Sequence, residues 1–599
     1  MQIEDLASFP ASSIFNADLV IVGGGPAGLT IAREFFGSAV KVLVLESGLL
    51  EETADHAALA EVDSTGEPST KLQNAQRQNF HGAGTRFWTP AAQPYGVRCR
   101  ALGGSTHAWA GKSAAFDPID FEARSWVPYS GWPIRHSELA PYLDRAAKVL
   151  NLGPNVYDDG LWDLIPATAP DPKLDADKLR SFFWQFARSR QDPLDIMRFG
   201  RDFLTNKADN IRVLLNATVT QIELGPDGTS VEGLRITTID NVLSQVHTKA
   251  AVIAASGIEN ARLLLASHHQ HANGIGNGHD IVGRFLMDHV SAEVGRFGPE
   301  AVAQISRRFG FYGVRSDGGT HMYMHGLAAS PVAQERHKLL NSAVYFMQLR
   351  SPDDPWDALK RLIKRQSDRP LQDLRAVVAG TGLLARGVGT KLLNDRAMPT
   401  ALKEFVVASA IRYNPNLVAD EFQSRGIPHK LTGVRIDAIA EQRPDPNSRV
   451  TLSARTDRLG VPIATIDWRI NDEDRRTIVR LAHLTRDAFV AAGLPSPVLE
   501  PWVAEDRPWD AVIIDMAHTV GTTRMSDDPR TGVVDKTCQV HGVSGLYVAG
   551  ASVFPTSGHA NPTLMIVALA IRLADTIKRT IDRGPITAAA PISNEMDAV

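Results

Sequence analysis

The chain has 599 residues, of which 44% are hydrophobic and 22% are charged, and its formal net charge is −4. A chain of this length is expected to form at least two domains, and its composition is typical of globular proteins. The small negative charge provides no basic field, so we predict that nucleic acid is not a partner. The two cysteines, Cys99 and Cys538, are too few for a disulfide framework and form no Cys-x-x-Cys motif, which argues against sequence-encoded zinc, iron–sulfur and c-type haem sites.

Targeting signals are not evident in the sequence. The first residues contain no basic region followed by an apolar run, so we predict no secretory signal. No stretch of about 20 uninterrupted apolar residues occurs, which predicts that no segment spans a membrane. A cytoplasmic location is the resulting expectation.

A nucleotide-binding turn is predicted near the start of the chain. The apolar run Leu19–Val22 is typical of a parallel strand that is buried on both faces. Gly23 permits a tight turn, Gly25 leaves room for a pyrophosphate, and Gly28 lets the following helix pack closely on the strand. The N-terminus of that helix attracts phosphate. Glu46 ends a second strand at 40–45, where an acid can bind a ribose hydroxyl.

Later elements predict that the nucleotide domain is discontinuous in sequence. Residues 50–97 have no persistent period and are predicted to be mostly loop. In the next segment, Gly103 and Gly104 let the backbone approach a flat or bulky group. Short strands are then predicted at 211–215, 219–224 and 231–237, and another begins at Val252. The last of these leads into a glycine turn and a helix, as the first strand does.

Residues from about 290 to 515 have the pattern of a separate domain, in which strand-like segments alternate with a helical stretch at about 355–412. This pattern is consistent with a basic amphipathic surface that faces a membrane or an anionic substrate. A helical cover whose charges are simply solvated is the favoured interpretation. The basic residues of the stretch are Lys360, Arg361, Lys364, Arg365, Arg375, Arg386, Lys391 and Lys403.

The most informative motifs lie near the C-terminus. His518 begins the motif His-Thr-Val-Gly-Thr-Thr-Arg-Met, and Gly550 and Ala551 belong to Gly-Leu-Tyr-Val-Ala-Gly-Ala-Ser. The motif Gly-His-Ala-Asn-Pro-Thr contains His559 and Asn561, and a helix is predicted after it at 565–577. Each motif alone could belong to a core or a turn.

Together with the N-terminal turn, these motifs resemble those of the glucose–methanol–choline oxidoreductases, FAD enzymes that oxidise alcohols. The matching segments keep the family's order across more than 500 positions. Besides the turn and Glu46, they are Gly103-Gly104-Ser105, 252–265, 282–289, 448–453 and all residues from His518 to Asp575.

The resemblance implies an α/β protein with a discontinuous Rossmann-like FAD-binding domain and an α+β substrate domain that contains an antiparallel sheet. The implied FAD-binding segments are 15–118, 205–290 and 516–582, the last of which also carries the catalytic residues. Residues 119–204 would form a substrate or cap segment, 291–515 the substrate-binding domain, and 583–599 a loose tail.

The resemblance also implies which residues contact the cofactor. Val219 would meet the adenine, and Gly550 and Ala551 would lie beside the flavin. Gly550 occupies a position where the family commonly has Asp, so a usual side-chain contact near the cofactor is expected to be missing. The remaining implied cofactor contacts are Gly23, Gly25, Gly28, Glu46, Gly103, Gly104, Ser105 and Asn561.

Two residues are implied to lie before the flavin, His518 and Asn561. Alcohol oxidation moves a hydride from carbon to the flavin while the hydroxyl proton leaves. A neutral imidazole can take that proton, and an amide can hold the oxygen in line. His518 is therefore expected to be the general base and Asn561 its orienting partner. His559 is expected either to reach the same pocket or to fix its loop.

The sequence also bears on how FAD is attached. Some family members link FAD covalently through a histidine directly before a Trp or Asn in the Gly-Gly segment. Here Ala108 precedes Trp109, and the nearest histidine is His107. A shift of one residue points a side chain elsewhere, so we predict non-covalent FAD.

The expected function is FAD-dependent oxidation of an alcohol group. The His518 and Asn561 pair, followed by Pro-Thr, is most similar to members that act on sugars, including the pyranose oxidases, and also occurs in choline oxidases. A sugar, glycoside or other polyhydroxylated molecule is the expected substrate. Oxygen, a quinone or another protein would accept the electrons, because no haem motif is present. The alternatives are a non-sugar alcohol, a flavin-containing lyase on the same fold, and a non-catalytic flavoprotein.

Overall fold

The structure is a computed structural model that describes residues 1–67, 70–81, 86–165, 169–191, 195–316, 319–363, 367–384, 429–507 and 513–582. Within these ranges, no helix is both long enough and apolar enough to cross a membrane.

A six-stranded sheet lies at the nucleotide-binding end of the fold, and every neighbouring pair of its strands is parallel. All residues of its two central strands Leu19–Val22 and Val42–Leu45 are buried, as expected for a parallel sheet covered on both faces. The sheet joins the beginning, middle and end of the chain, in agreement with a discontinuous Rossmann-like fold. In spatial order the strands are Gln2–Asp5, Ile211–Leu215, Val42–Leu45, Leu19–Val22, Ala251–Ile253 and Leu546–Val548.

A nine-stranded sheet forms the second large layer, and its neighbouring strands are antiparallel. This sheet provides the α+β part of the fold. Its main path runs through Val498–Leu499, Val290–Phe297, Leu431–Ala440, Ser342–Arg350, Gly319–Ala329, Leu179–Phe186 and Lys112–Ser113, while Phe311–Ser316 and Ile514–Asp515 pair at its sides. The segment boundaries implied by the resemblance stay a prediction.

The remaining strands form two smaller sheets. One contains Ile14–Asn16, Leu243–His247, Val231–Thr237 and Thr218–Leu224, and the other contains Arg449–Thr456, Pro462–Asp467 and Val62–Ser64.

The helices pack around these sheets. The long helix Thr563–Asp582 contacts both Pro26–Glu34 and His136–Val149, and apolar residues along its length are fully buried. The other α-helices are Ala54–Ala58, Lys71–His81, Phe199–Leu204, Gly257–Ala266, Val302–Arg308, Pro331–His337, Pro355–Ile363, Pro370–Ala379, Asp472–Ala491 and Pro501–Ala504. Short 3-10 turns occur at Leu6–Ser8, Gly104–His107, Pro118–Phe121, Asp159–Asp163, Pro299–Ala301 and Ala551–Val553.

The prediction that residues 50–97 are mostly loop was partly wrong, because two helices and a strand lie there. The helix Lys71–His81 buries Gln73 and Arg77, which are polar residues one turn apart. A helix whose buried face is polar leaves no apolar period in the sequence, so periodicity alone could not reveal it.

The predicted helical stretch at 355–412 is described only in part. The helices Pro355–Ile363 and Pro370–Ala379 lie in it, and Lys360 and Arg361 both contact acidic side chains there. Lys364, Arg365, Arg386, Lys391 and Lys403 lie outside the described residues.

Candidate active site

The glycine turn follows the first parallel strand as predicted. Gly23 has a φ of 105°, a conformation that favours glycine, and a Cβ added at Gly28 would overlap the Gly23 carbonyl oxygen. The helix Pro26–Glu34 can therefore lie against the strand only with glycine at position 28. Nothing lies within 4 Å of a Cβ added at Gly25, and this residue lines a cavity.

Glu46 closes the turn from the side of the second strand. Its carboxylate accepts hydrogen bonds from the amides of Gly24 and Gly48, each at 2.8 Å. Each carboxylate oxygen has a further lone pair, and Glu46 lines the cavity. The residue is therefore placed both to organise the turn and to accept a hydrogen bond from a hydroxyl group of a ligand.

The second glycine segment packs directly on the first. The Gly103 amide donates to the Gly24 carbonyl at 2.7 Å, and a Cβ at Gly104 would lie 3.0 Å from Gly25 Cα. Gly103 and Gly104 both have positive φ, and Gly104 and Ser105 line the cavity. The two glycine segments thus form one wall.

The cavity has a volume of about 850 Å³, within the range of cofactor and ligand sites. Val219 lines it from the strand Thr218–Leu224, and Gly550 and Ala551 line it from the C-terminal segment. No atom lies within 4 Å of a Cβ added at Gly550, whose φ is 102°. The backbone of this wall is therefore accessible to a bulky group.

Buried side-chain nitrogen atoms without hydrogen-bond partners support a cofactor in this cavity. Arg98 lines the cavity and is only 7% exposed, and its Nε and Nη1 atoms have no hydrogen-bond partner among the described residues. The Gly25 cradle and the N-terminus of Pro26–Glu34 provide space and amide donors for a pyrophosphate. The residues present fit FAD.

The structure brings His518 and Asn561 together at the cavity. The Asn561 amide nitrogen lies 3.4 Å from His518 Nε2, and both residues line the cavity. The backbone amide of His518 donates to Asp288 at 2.9 Å, which fixes the chain at this point. Asn561 is 8% exposed, and its Oδ1 atom has no partner within the described part of the chain.

A second histidine, His289, orients the His518 ring. The Nδ1 atoms of the two rings are 2.8 Å apart, and His289 Nε2 lies 3.2 Å from the Ser557 carbonyl oxygen. A carbonyl only accepts, so His289 Nε2 must carry a hydrogen. Burial lowers the pKa of His289 to about 4, so this ring is neutral and its Nδ1 accepts. His518 Nδ1 must then donate, which leaves the lone pair of neutral His518 on Nε2.

Asp288 supports this arrangement from the backbone side. Its carboxylate accepts hydrogen bonds from the amides of His289 and Met516 at 2.7 and 3.1 Å, and from the Tyr95 hydroxyl at 3.2 Å. Burial and the neighbouring Asp515 raise the pKa of Asp288 to about 7. The two histidines are thus held by a buried network.

The structure does not bring His559 to the cavity. Its ring lies 4.5 Å from the Phe182 ring and is 1% exposed, and it is not among the residues that line the cavity. Burial lowers the pKa of His559 to about 3. Neither ring nitrogen of His559 has a hydrogen-bond partner among the described residues, so the expectation that it fixes its loop stays a prediction.

Two residues at the site were missed by sequence reasoning. His289 belongs to a motif that the resemblance included, but no role was assigned to it. Lys112 lines the cavity eight positions after Gly104 and was not singled out. The signal for His289 was its position directly after an acid in a matching motif, whereas a single lysine carries no such signal.

A parallel sheet with a dinucleotide turn, joined to an antiparallel sheet and a histidine at a shared cavity, is typical of a nucleotide-dependent oxidoreductase. The family profile described as GMC oxidoreductase matches residues 444–570. The fructose dehydrogenase large subunit of Gluconobacter japonicus is 24% identical over 96% of this chain and 100% of its own length. The 2-methyl-1,2-propanediol dehydrogenase of Mycolicibacterium austroafricanum is also 24% identical, over 95% of this chain and 96% of its own.

The solved structures agree on the fold. The crystal structure of pyridoxine 4-oxidase from Mesorbium loti superposes with a TM-score of 0.51 at 17% identity, covering 94% of this chain and 99% of that one. Residues 444–570 therefore carry a GMC oxidoreductase domain, and the comparisons support an FAD-dependent alcohol oxidoreductase.

Proposed function

We propose that this enzyme oxidises a hydroxyl group of a sugar or another polyhydroxylated molecule, with His518 as the base that takes the hydroxyl proton. The observation that carries the proposal is the hydrogen-bonded chain from the Ser557 carbonyl through His289 to His518. It directs the His518 lone pair to Nε2, the ring atom beside Asn561.

Proton transfer to His518 Nε2 is favoured by this arrangement. When Nε2 takes a proton the ring becomes positively charged, and its Nδ1–H still donates to neutral His289. A hydrogen bond from a charged donor is stronger than one from a neutral donor. The network therefore stabilises the protonated form that appears during the reaction.

Asn561 orients the substrate in this proposal. Its amide nitrogen lies near His518 Nε2, and its buried Oδ1 atom has no partner among the described residues. An amide offers both donor and acceptor atoms without taking up the proton. Asn561 can thus hold the reacting oxygen next to the base.

The residues that would hold FAD are the glycine turn at Gly23, Gly25 and Gly28, the acid Glu46, and the cavity wall that includes Gly104. When bound, FAD supplies the acceptor for the hydride that leaves the alcohol carbon.

Non-covalent attachment is part of the proposal. Ala108, the residue before Trp109, lines the cavity with a methyl group. His107 Nε2 lies 2.9 Å from the Leu102 carbonyl, and His107 is not among the residues that line the cavity. After acid denaturation the flavin should separate from the protein, and retained flavin would contradict this part of the proposal.

The substrate class draws on the relatives, which are named for a sugar and for a diol. The electron acceptor is proposed to be oxygen, a quinone or another protein. We expect the bleached flavin to recover its colour when the correct acceptor is added, so oxygen and a soluble quinone should be tested separately.

The test is anaerobic mixing of the FAD-loaded enzyme with sugars, polyols and simple alcohols while the flavin absorbance is followed. The H518N variant should bleach about 10²- to 10⁴-fold more slowly than the wild type, since it lacks the base. H269N is the matched control, because His269 is exposed and is not among the cavity residues. Bleaching of H518N at the wild-type rate would overturn the assignment, and turnover with the flavin still oxidised would favour a lyase.

A further inference from the structure

A partly buried lysine lines the same cavity as His518. Lys112 belongs to the short strand Lys112–Ser113 at the edge of the nine-stranded sheet and lines the cavity. Its Nζ atom lies 4.2 Å from the centre of the Trp184 ring and 4.3 Å from that of Tyr345. The two ring faces hold the ammonium group by cation–π attraction.

The Lys112 ammonium has no hydrogen bond and no ion pair among the described residues. Asp437 is the acid whose charge acts on it, but Asp437 is bound by Arg435 through contacts of 2.9 and 3.0 Å. Burial lowers the pKa of Lys112 to about 7. An ammonium group carries three N–H donors, and burying them without acceptors is unfavourable.

Strands of the nine-stranded sheet line the cavity with the apolar side chains of Phe186, Phe311, Met324, Met347 and Leu431, and with the polar side chains of Gln348 and Arg350. No carboxylate of the described cavity lining hydrogen-bonds to Lys112. The four acids that line the cavity already have partners. Glu46 accepts from two backbone amides, Glu259 and Asp457 bind Arg262, and Asp515 binds Arg77.

Lys112 also lies near the catalytic pair. Burial is the main cause of the lowered pKa of His289, and the positive charge of Lys112 contributes to it. Lys112, His518 and Asn561 line the same cavity, so a ligand that extends along it can contact both ends of this set.

We propose that Lys112 binds a carboxylate of the substrate, so that the preferred substrate is a polyhydroxylated acid such as a sugar acid. The inference rests on the proposed function, because it concerns the same cavity. A single ammonium between two aromatic rings matches a group of one negative charge, whereas a phosphate would retain uncompensated charge. The carboxylate accepts the hydrogen bonds that Lys112 lacks, while a hydroxyl of the same molecule lies at His518.

The experiment compares acids with neutral partners of the same size, using the FAD-loaded enzyme without oxygen. The pairs are D-glucuronate with D-glucose, D-galacturonate with D-galactose, and D-gluconate with D-glucitol. The rate of flavin bleaching against concentration gives the second-order rate constant of flavin reduction for each compound. We expect at least one acid to exceed its neutral partner about tenfold or more, the worth of a hydrogen bond to a charged group.

The substitutions K112M and K112R test whether Lys112 causes this preference. K112M keeps the length of the side chain without its charge and should lower the acid-to-neutral ratio about tenfold or more, whereas K112R should retain part of it. K207M is the control, because Lys207 is exposed and outside the cavity, and its ratio should equal that of the wild type. Thermal unfolding and FAD content show whether each variant is folded and loaded.

Several results would overturn the proposal. They are the absence of any acid preference in the three pairs, an unchanged ratio in K112M, and an equal loss for acids and neutral partners, which would indicate that Lys112 acts on the flavin. If neutral polyols bleach the flavin without an acid preference, the proposed alcohol oxidation is supported and the proposal that Lys112 binds a carboxylate is refuted. If dithionite bleaches the flavin and no alcohol or acid does, the proposed function fails as well.

Discussion

Replacing His289 tests whether a residue outside the cavity sets the state of the base. In H289L the ring that accepts from His518 Nδ1 is absent, so the 2.8 Å hydrogen bond is lost. Neutral His518 can then place its hydrogen on Nε2, where it blocks proton transfer, and the protonated ring loses its acceptor. A hydrogen bond to a charged group contributes about 1.5–3 kcal/mol, which corresponds to about a 10- to 150-fold slower flavin reduction.

The assay is anaerobic stopped-flow reduction of the FAD-loaded enzyme by its best substrate. H289L should lower the limiting rate of flavin reduction more than it changes the apparent Kd of the substrate, because His289 is not among the cavity residues. H289N supplies an amide that can accept from one neighbour and donate to the other, so it should recover part of the rate. A wild-type rate in H289L would refute the reasoning. An equal loss in H289L and H289N would also refute it, since packing and not hydrogen bonding would then be the cause.

Three further predictions address the cofactor turn, a buried ion pair and a buried histidine. G25A should weaken FAD binding in a fluorescence titration and leave the unfolding temperature of the apo-protein unchanged, because nothing lies within 4 Å of the added Cβ. G28A should lower both the FAD affinity and the unfolding temperature of the apo-protein, since its Cβ would overlap the Gly23 carbonyl oxygen. An FAD affinity in G25A equal to that of the wild type would contradict the assignment of Gly25 to the cofactor site. R124M should lower the free energy of unfolding in denaturant by about 3–5 kcal/mol, because it leaves the fully buried Glu441 without its ion-pair partner. A decrease of less than about 1 kcal/mol would contradict the buried ion pair. Burial lowers the pKa of His325 from 6.5 to about 4, so between these values the unfolded chain binds a proton that the folded chain does not, and wild-type stability falls as the pH falls. H325F has no imidazole to protonate, so its free energy of unfolding does not include this loss. From pH 7.5 to pH 5, the free energy of unfolding of H325F minus that of the wild type should rise by about 2 kcal/mol in denaturant titrations. A difference that stays constant with pH would contradict the lowered pKa of His325.

The nucleotide-binding end of the fold could be predicted because its requirements are local. A buried parallel strand needs an apolar run, and the turn after it needs glycine at positions where a Cβ would overlap the backbone. Gly23 and Gly28 carry that information in their spacing, and the structure shows the strand, the turn and the helix they predict. His518 and Asn561 could be predicted as a pair because each lies in a motif with its own sequence pattern, and the structure brings their side chains to within 3.4 Å at the cavity.

Other features depended on contacts between distant parts of the chain. The helix Lys71–His81 buries Arg77, which pairs with Asp515 more than 400 positions away. No local pattern encodes such a partner, because the burial of a polar side chain is favourable only when the partner arrives. Periodicity therefore predicted a loop where tertiary contacts stabilise a helix.

Sequence by itself determined which chemistry is available, namely a nucleotide-binding turn, a histidine and an amide. Tertiary structure decided how those groups act. The tautomer of His518 depends on His289, 229 positions earlier, and on the Ser557 carbonyl behind it. Likewise, Lys112 is an unremarkable residue until folding places its ammonium between Trp184 and Tyr345 at the cavity. Hydrogen-bond direction and desolvation are properties of neighbours in space, and the order of residues along the chain does not specify them.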